Sequence, residues 1–135
     1  MKSMSYFFAL LTTLTSTLSA AATAGYEIKS DLFFNGKKDS SVTFIVKENE
    51  PGLISQKTEN GHTFVEVIAK EGEIQGNKGI LMTFTIGRID EYGKKIVLAR
   101  PQVLTRDSQK ASVSQQGETG KEAISLTVTP HRKML

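Results

Sequence analysis

The chain has 135 residues, 17 Lys and Arg against 14 Asp and Glu, a formal charge of +3 and no Cys. That length suits one domain with one core, and the lack of Cys excludes a disulfide framework and a thiolate metal site. So small a charge gives no reason to expect a nucleic-acid partner.

Residues 1–24 read as a secretory signal peptide. Lys2 supplies the positive start, Tyr6 to Leu18 is an uncharged stretch rich in Phe, Leu, Ala and Thr, and Ala22-Thr23-Ala24 fits the small-x-small cleavage pattern. Ala20-Ala21-Ala22 offers a second cleavage position, so the cut is left open between Ala22 and Ala24. The stretch is short for a bilayer span and has no basic stop-transfer flank. A single exported β domain over residues 25–135 is expected, in the periplasm or outside the cell, with no transmembrane segment in the mature chain.

The rest of the chain alternates with period two. Tyr26, Ile28, Leu32 and Phe34 share one face of a strand, opposite Glu27, Lys29 and Asp31. Asn35-Gly36 is a type I′ hairpin signal, because both central positions of that turn need positive φ. Val42, Phe44 and Val46 form a second alternating face. Pro51-Gly52 closes a turn, Leu53 to Lys57 is a short third strand, and His62 to Ala69 returns after Asn60-Gly61 as a fourth. Lys70 to Lys78 reads as a connection crossing between two sheets. Ile80, Met82, Phe84 and Ile86 then alternate most clearly of all. Lys95 to Thr105 is extended but broken by Pro101, which belongs at an edge or bulge. Ala111 to Gln115 and Lys121 to Thr129 complete the set, with Ile124, Leu126 and Val128 facing inward.

A repeat runs through this pattern. Gly36-Lys37-Lys38 returns as Gly93-Lys94-Lys95, 57 residues later, and Ser55-Gln56 with Glu59 and Gly61 returns as Ser114-Gln115 with Glu118 and Gly120, 59 residues later. The expected fold is all-β: an antiparallel β-sandwich or open barrel of about eight strands. Its two four-stranded pseudo-repeats span about 26–69 and 79–129, each a meander that buries its apolar face against the other.

Within the second copy, the run Arg100-Pro101-Gln102-Val103-Leu104-Thr105-Arg106-Asp107-Ser108-Gln109-Lys110-Ala111-Ser112-Val113 resembles a segment of bacterial outer-membrane secretins. That family carries Pro-x-Val/Leu-Leu/Val-Thr, a turn, Ala-x-Ile/Val and then a Gly, for which Gly117 stands a little late. The closing Ile124 to Pro130 is similar to the secretin phrase ending in Val-Thr-Pro. The match covers about residues 99–130, and the chain is too short for a secretin channel and its preceding periplasmic domains. The resemblance implies a secretin-like pair of β hairpins on a small exported module, not a pore. It points to Pro101, Val103, Thr105 and Asp107 as candidate partner-binding residues.

No pattern points to catalysis. His62 and His131 are the only His; His62 follows a hairpin turn and His131 lies in a C-terminal stretch expected to fray with Arg132-Lys133. No Gly-x-Ser-x-Gly elbow is present. No spacing suggests three or four converging metal ligands, and no cofactor is expected. The first functional expectation is a non-catalytic binding or assembly module of the bacterial envelope. It would recognise a protein through a sheet edge or face, with the edge led by Pro101 to Thr105 and the strand Gly79 to Ile89 as candidates. The alternative is a secreted factor exported by the type II route. Its lysine turns, Lys37, Lys38, Lys94 and Lys95, would dock anionic lipid headgroups or glycans, with Lys57, Lys70, Lys78 and Arg88 extending the basic surface. A small hydrolase is the third reading.

Overall fold

The computed structural model describes residues 23–59, 61–116 and 122–135. Among them the chain is all-β, with nine strands: β1 (Ala24–Phe34), β2 (Lys37–Lys47), β3 (Gly52–Thr58), β4 (Gly61–Ile74), β5 (Asn77–Ile89), β6 (Lys95–Ala99), β7 (Gln102–Thr105), β8 (Ala111–Gln116) and β9 (Ala123–Met134). They pair antiparallel in two sheets. The first has the order β2-β1-β9-β8; in the second, β3-β4-β5 is followed by β6 and β7, which share one flank of β5. Pro101 sits between β6 and β7, so together they make one interrupted edge strand, as a residue without an N–H requires.

The sheets pack face to face because each strand's alternate residues are apolar. Tyr26, Ile28, Leu32 and Phe34 from β1 meet Ile80, Met82, Phe84 and Ile86 from β5, with Val67 and Ala69 from β4 and Ile124, Leu126 and Val128 from β9. These are the residues whose period-two spacing marks the inner face in the sequence. Two type I′ hairpins fix the register on either side. Asn35 and Gly36 have φ of +52° and +81°, and Gln75 and Gly76 have +49° and +80°. Positive φ at both positions turns the chain with the twist of the flanking strands.

Three expectations change. Lys70 to Lys78 is not a crossing between sheets; β4 runs to Ile74 and hairpins directly into β5, pairing from Thr63↔Arg88 to Ile74↔Asn77. The crossings lie at the β2–β3 turn and the β7–β8 turn instead. Neither half is a four-stranded meander in one sheet, since each half places one hairpin in each sheet. Nor does the C-terminal stretch fray. Arg132 and Lys133 belong to β9, opposite Tyr26 and Gly25 on β1, and Leu135 exchanges backbone hydrogen bonds with Thr23.

The expected signal peptide lies outside the described residues except for Thr23 and Ala24, which extend the β1–β9 ladder. Among the described residues no helix is long and apolar enough to cross a membrane.

Candidate partner-binding surface

The two sheets expose unlike outer faces. On the first sheet most outward positions are polar, the apolar exceptions being Phe33, Ala123 and Ile45, which is 61% exposed on β2. Lys29 stands beside Thr129 and Thr43, and Asp31 beside Thr127 and Ser41. Ser112 and Thr127 share a hydroxyl hydrogen bond of 3.0 Å, and Ser114 and Ser125 one of 2.8 Å. On the second sheet the outward positions mix polar residues, among them Glu66, Lys70, Thr83 and Gln102, with several apolar ones. Leu53, Ile68 and Leu104 are 49%, 38% and 43% exposed, and Leu81 stands directly beside Leu104 in the β5–β7 register.

Glycines shape this second face. A Cβ on Gly72 would come within 2.8 Å of the Leu104 side chain, and one on Gly79 within 3.0 Å of Ile74. The missing side chains let Leu104 and Ile74 lie flat across β4 and β5. Toward the opposite end, Phe64 covers Gly87 and is buried outside the core, with the Lys95 ammonium 5.3 Å from its ring centroid. An aliphatic strip therefore runs along the outside of the second sheet to its β7 edge.

Of the partner-binding residues read from the sequence, Pro101, Val103 and Thr105 are buried and point inward. The Pro101 carbonyl accepts a hydrogen bond from the Phe84 N–H at 2.9 Å, so Val103 and Thr105 also direct their backbone groups at β5. The outer edge is left to the backbone of Gln102 and Leu104, whose side chains face out. Leu104 was legible: alternation with Val103 and Thr105 puts an apolar residue where a solvated one is usual. Asp107 is exposed in the β7–β8 turn, and its carboxylate accepts the Arg132 N–H at 2.7 Å. The other candidate, the strand Gly79 to Ile89, is interior to its sheet and offers a face but no edge, since β5 pairs with β4 on one side and with β6 and β7 on the other.

The lysine turns do share one end of the sandwich, as the repeat implies. Gly36 and Gly93 even have the same φ of +81°. Carboxylates offset the charge there, however. Lys37 pairs with Glu59 at 2.8 Å, which holds its ammonium above its ordinary pKa, and Lys38 lies 3.6 Å from Asp31. Lys94 follows Asp90, whose carboxylate accepts the Tyr92 and Lys94 N–H groups. Lys70 and Lys78 lie toward the other end of the β4–β5 hairpin, and Arg88 is turned inward. The cations read as one basic surface are thus dispersed.

Besides Lys37–Glu59, sequence reasoning missed two further ion pairs that join the sheets. Arg88 donates two hydrogen bonds of 2.6 Å to Glu122 and stacks 5.3 Å from the Phe34 ring centroid. Arg132 grips Glu71 at 2.9 and 3.0 Å, while the Tyr26 hydroxyl donates to Glu71 at 2.9 Å. Burial first, then the bond to Glu71, pushes the Tyr26 hydroxyl pKa up, so it stays a donor. The cleft beside this triad, about 160 Å³, is lined by Ala24, Gly25, Tyr26, Glu71, Arg132, Lys133 and Met134.

Ser108, at φ +64°, places its hydroxyl 2.9 Å from His131 Nδ1. A working nucleophile–base pair also needs a group orienting the far ring nitrogen and donors for an oxyanion. Asp107 directs its carboxylate to Arg132 and Ser108 instead. As built, the contact fastens the β7–β8 turn to β9. Among the described residues no three His, Asp or Glu side chains converge as a metal site.

No protein family matches the chain, and no curated protein or solved structure matches it.

Proposed function

We propose that the protein is a non-catalytic, exported recognition module that docks a protein partner on the aliphatic outer face of its second sheet, beside the β7 edge. The observation that carries this reading is the group of exposed aliphatic side chains on the second sheet, where the first sheet exposes Ile45. A sandwich needs only its inner faces apolar, yet Leu53, Ile68 and Leu104 stand in water on the second sheet, with Leu81 beside Leu104. The secretin-like run, Arg100 to Val113, covers β7, the turn and the first half of β8, and so reaches the same edge. An extended segment of a partner would pair with the Gln102 and Leu104 backbone while its alternate side chains cover Leu81 and Leu104.

The test is capture from an envelope extract by the wild type and by Ile68→Glu and Leu104→Lys, both outward substitutions. A partner retained at low and moderate salt and lost with either variant supports the reading, with binding at least tenfold weaker. Retention by both variants would sink it. Binding that collapses with salt and weakens on reversal of Lys37/Lys38 or Lys94/Lys95 would favour the anionic-surface alternative. Turnover of an ester or peptide abolished by His131→Ala would favour a hydrolase built on Ser108.

A further inference from the structure

We propose that β8 is a self-pairing edge, through which two copies of this chain join their first sheets into one continuous sheet of order β2-β1-β9-β8-β8-β9-β1-β2. This goes beyond the docking face above, which lies on the other sheet.

Among the described residues the sandwich has four edge strands: β2, β8, β3 and the interrupted β6–β7. An exposed edge offers a row of backbone donors and acceptors to any other strand, and charged residues or Pro normally blunt it. Three edges here are blunted. β2 carries Lys37, Lys38, Asp39 and Lys47; β3 carries Lys57; β6–β7 carries Lys95 and is broken at Arg100-Pro101. Antiparallel self-pairing of β2 about its midpoint would set Lys37 of one copy against Lys47 of the other, a like-charge contact at both ends. β8 reads Ala-Ser-Val-Ser-Gln-Gln, with neither charge nor Pro.

Its side chains suit a second copy. Ala111 and Val113 pack against the core but are only half-buried, because nothing among the described residues flanks them beyond the edge. With the two-fold axis at Val113, each Val113 meets its symmetry mate, each Ala111 meets Gln115, and each Ser112 meets Ser114. The inner pairs complete the cover over the core. The outer pairs prolong the hydroxyl ladder already formed by Ser112–Thr127 and Ser114–Ser125. Self-pairing therefore brings no like charges together and buries apolar surface that a monomer leaves half-wet.

The experiment takes the purified chain at tens of micromolar in analytical ultracentrifugation, with Ser114→Lys as the disrupting variant. Ser114 is exposed on the outer face, and the variant sets a lysine from each copy close to the axis. The proposal expects a wild-type dimer and self-association at least tenfold weaker for Ser114→Lys, with unchanged circular dichroism. The absence of native Cys allows a second readout that does not depend on that variant folding. Under mild oxidation Val113→Cys should form a disulfide-linked dimer, and Ser41→Cys on the β2 edge should not. A wild-type monomer at these concentrations, even one that accepts an uncharged extended peptide on β8, overturns the proposal. So does a dimer that survives Ser114→Lys, or equal cross-linking through Ser41→Cys.

Discussion

At the scale of single residues, two arginines bridge the sheets and each holds a glutamate on the opposite one. Arg88 and Glu122 are 34 positions apart in sequence and Arg132 and Glu71 are 61 apart. No spacing rule links residues so distant, so neither pair is legible before the strands are placed. The Arg88–Glu122 pair is the more enclosed, with side chains 30% and 18% exposed, against 34% and 41% for the other. Its two hydrogen bonds are charge-assisted and parallel, the strong geometry for a guanidinium and a carboxylate. Glu122→Gln should lower stability at neutral pH by about 1.5–3 kcal/mol, the usual worth of hydrogen bonds to a charged group. The Arg88 bonds hold the Glu122 carboxyl below its ordinary range in the folded state. A depressed folded pKa contributes stability that is complete above the unfolded value, near 4.3, and fades as pH falls through the folded value. Urea titrations at neutral pH and near pH 3 should thus show a large gap between wild type and Glu122→Gln at the first pH and a small one at the second. An equal gap at both would remove the ion pair from the account.

At the scale of elements, alternation in the sequence announces which side chains face the core, and β1, β2, β5 and β9 follow it closely. Length is harder to read. Glu71, Glu73 and the glycines Gly72 and Gly76 look like a linker because they are polar and small, yet β4 passes through most of them. The reason is that outward positions of a strand tolerate any polar residue, and Gly72 and Gly79 are needed as flat spots under Leu104 and Ile74. Pro130 inside β9 looks equally unsuited to an interior strand. Its carbonyl accepts the Ser108 N–H at 2.7 Å, so its missing N–H points to the same flank, past the start of β8, where no ladder bond is lost. Gly87 supplies the sharpest test at this scale. The register of β5 against β6 shifts between Ile86 and Gly87, and a Cβ on Gly87 would collide with the Ile96 carbonyl and with the Phe64 ring. Backbone cannot yield as a flexible side chain does. Gly87→Ala should destabilise the fold by about 1–3 kcal/mol, although alanine favours a strand no less than glycine does. Thermal unfolding of the variant measures this, and an unchanged midpoint would mean that β6 is free to move away.

At the scale of the whole molecule, the repeat visible in the sequence becomes a symmetry of the fold. Exchanging the halves carries β1–β2 onto β5–β6/β7 and β3–β4 onto β8–β9, and it turns the order of the first sheet into that of the second. Alternation could not reveal this, because an inward residue looks the same whichever sheet it serves; only pairing decides. The seams between halves are the central ladders, β1 with β9 and β4 with β5, each of 11 or more paired residues. Cutting the chain at the Gln75–Gly76 turn leaves each half with two hairpins, one per sheet, and both central strands open along one side. Such a half exposes two long unpaired edges and about half of a core that needs both partners, and two-stranded pieces of sheet are marginal in water. Residues 23–75 and 76–135 should therefore each be largely unstructured alone and recover the strand signal of the intact protein when mixed in equal amounts. Circular dichroism of the separate and mixed fragments reads this directly. The expected complementation depends on the exchange of hairpins between sheets. Had each half been a meander filling one sheet, each fragment would keep its own ladders and lose only the face that covers them. Strong strand signal from either fragment alone would then contradict the seams as the principal bond between halves.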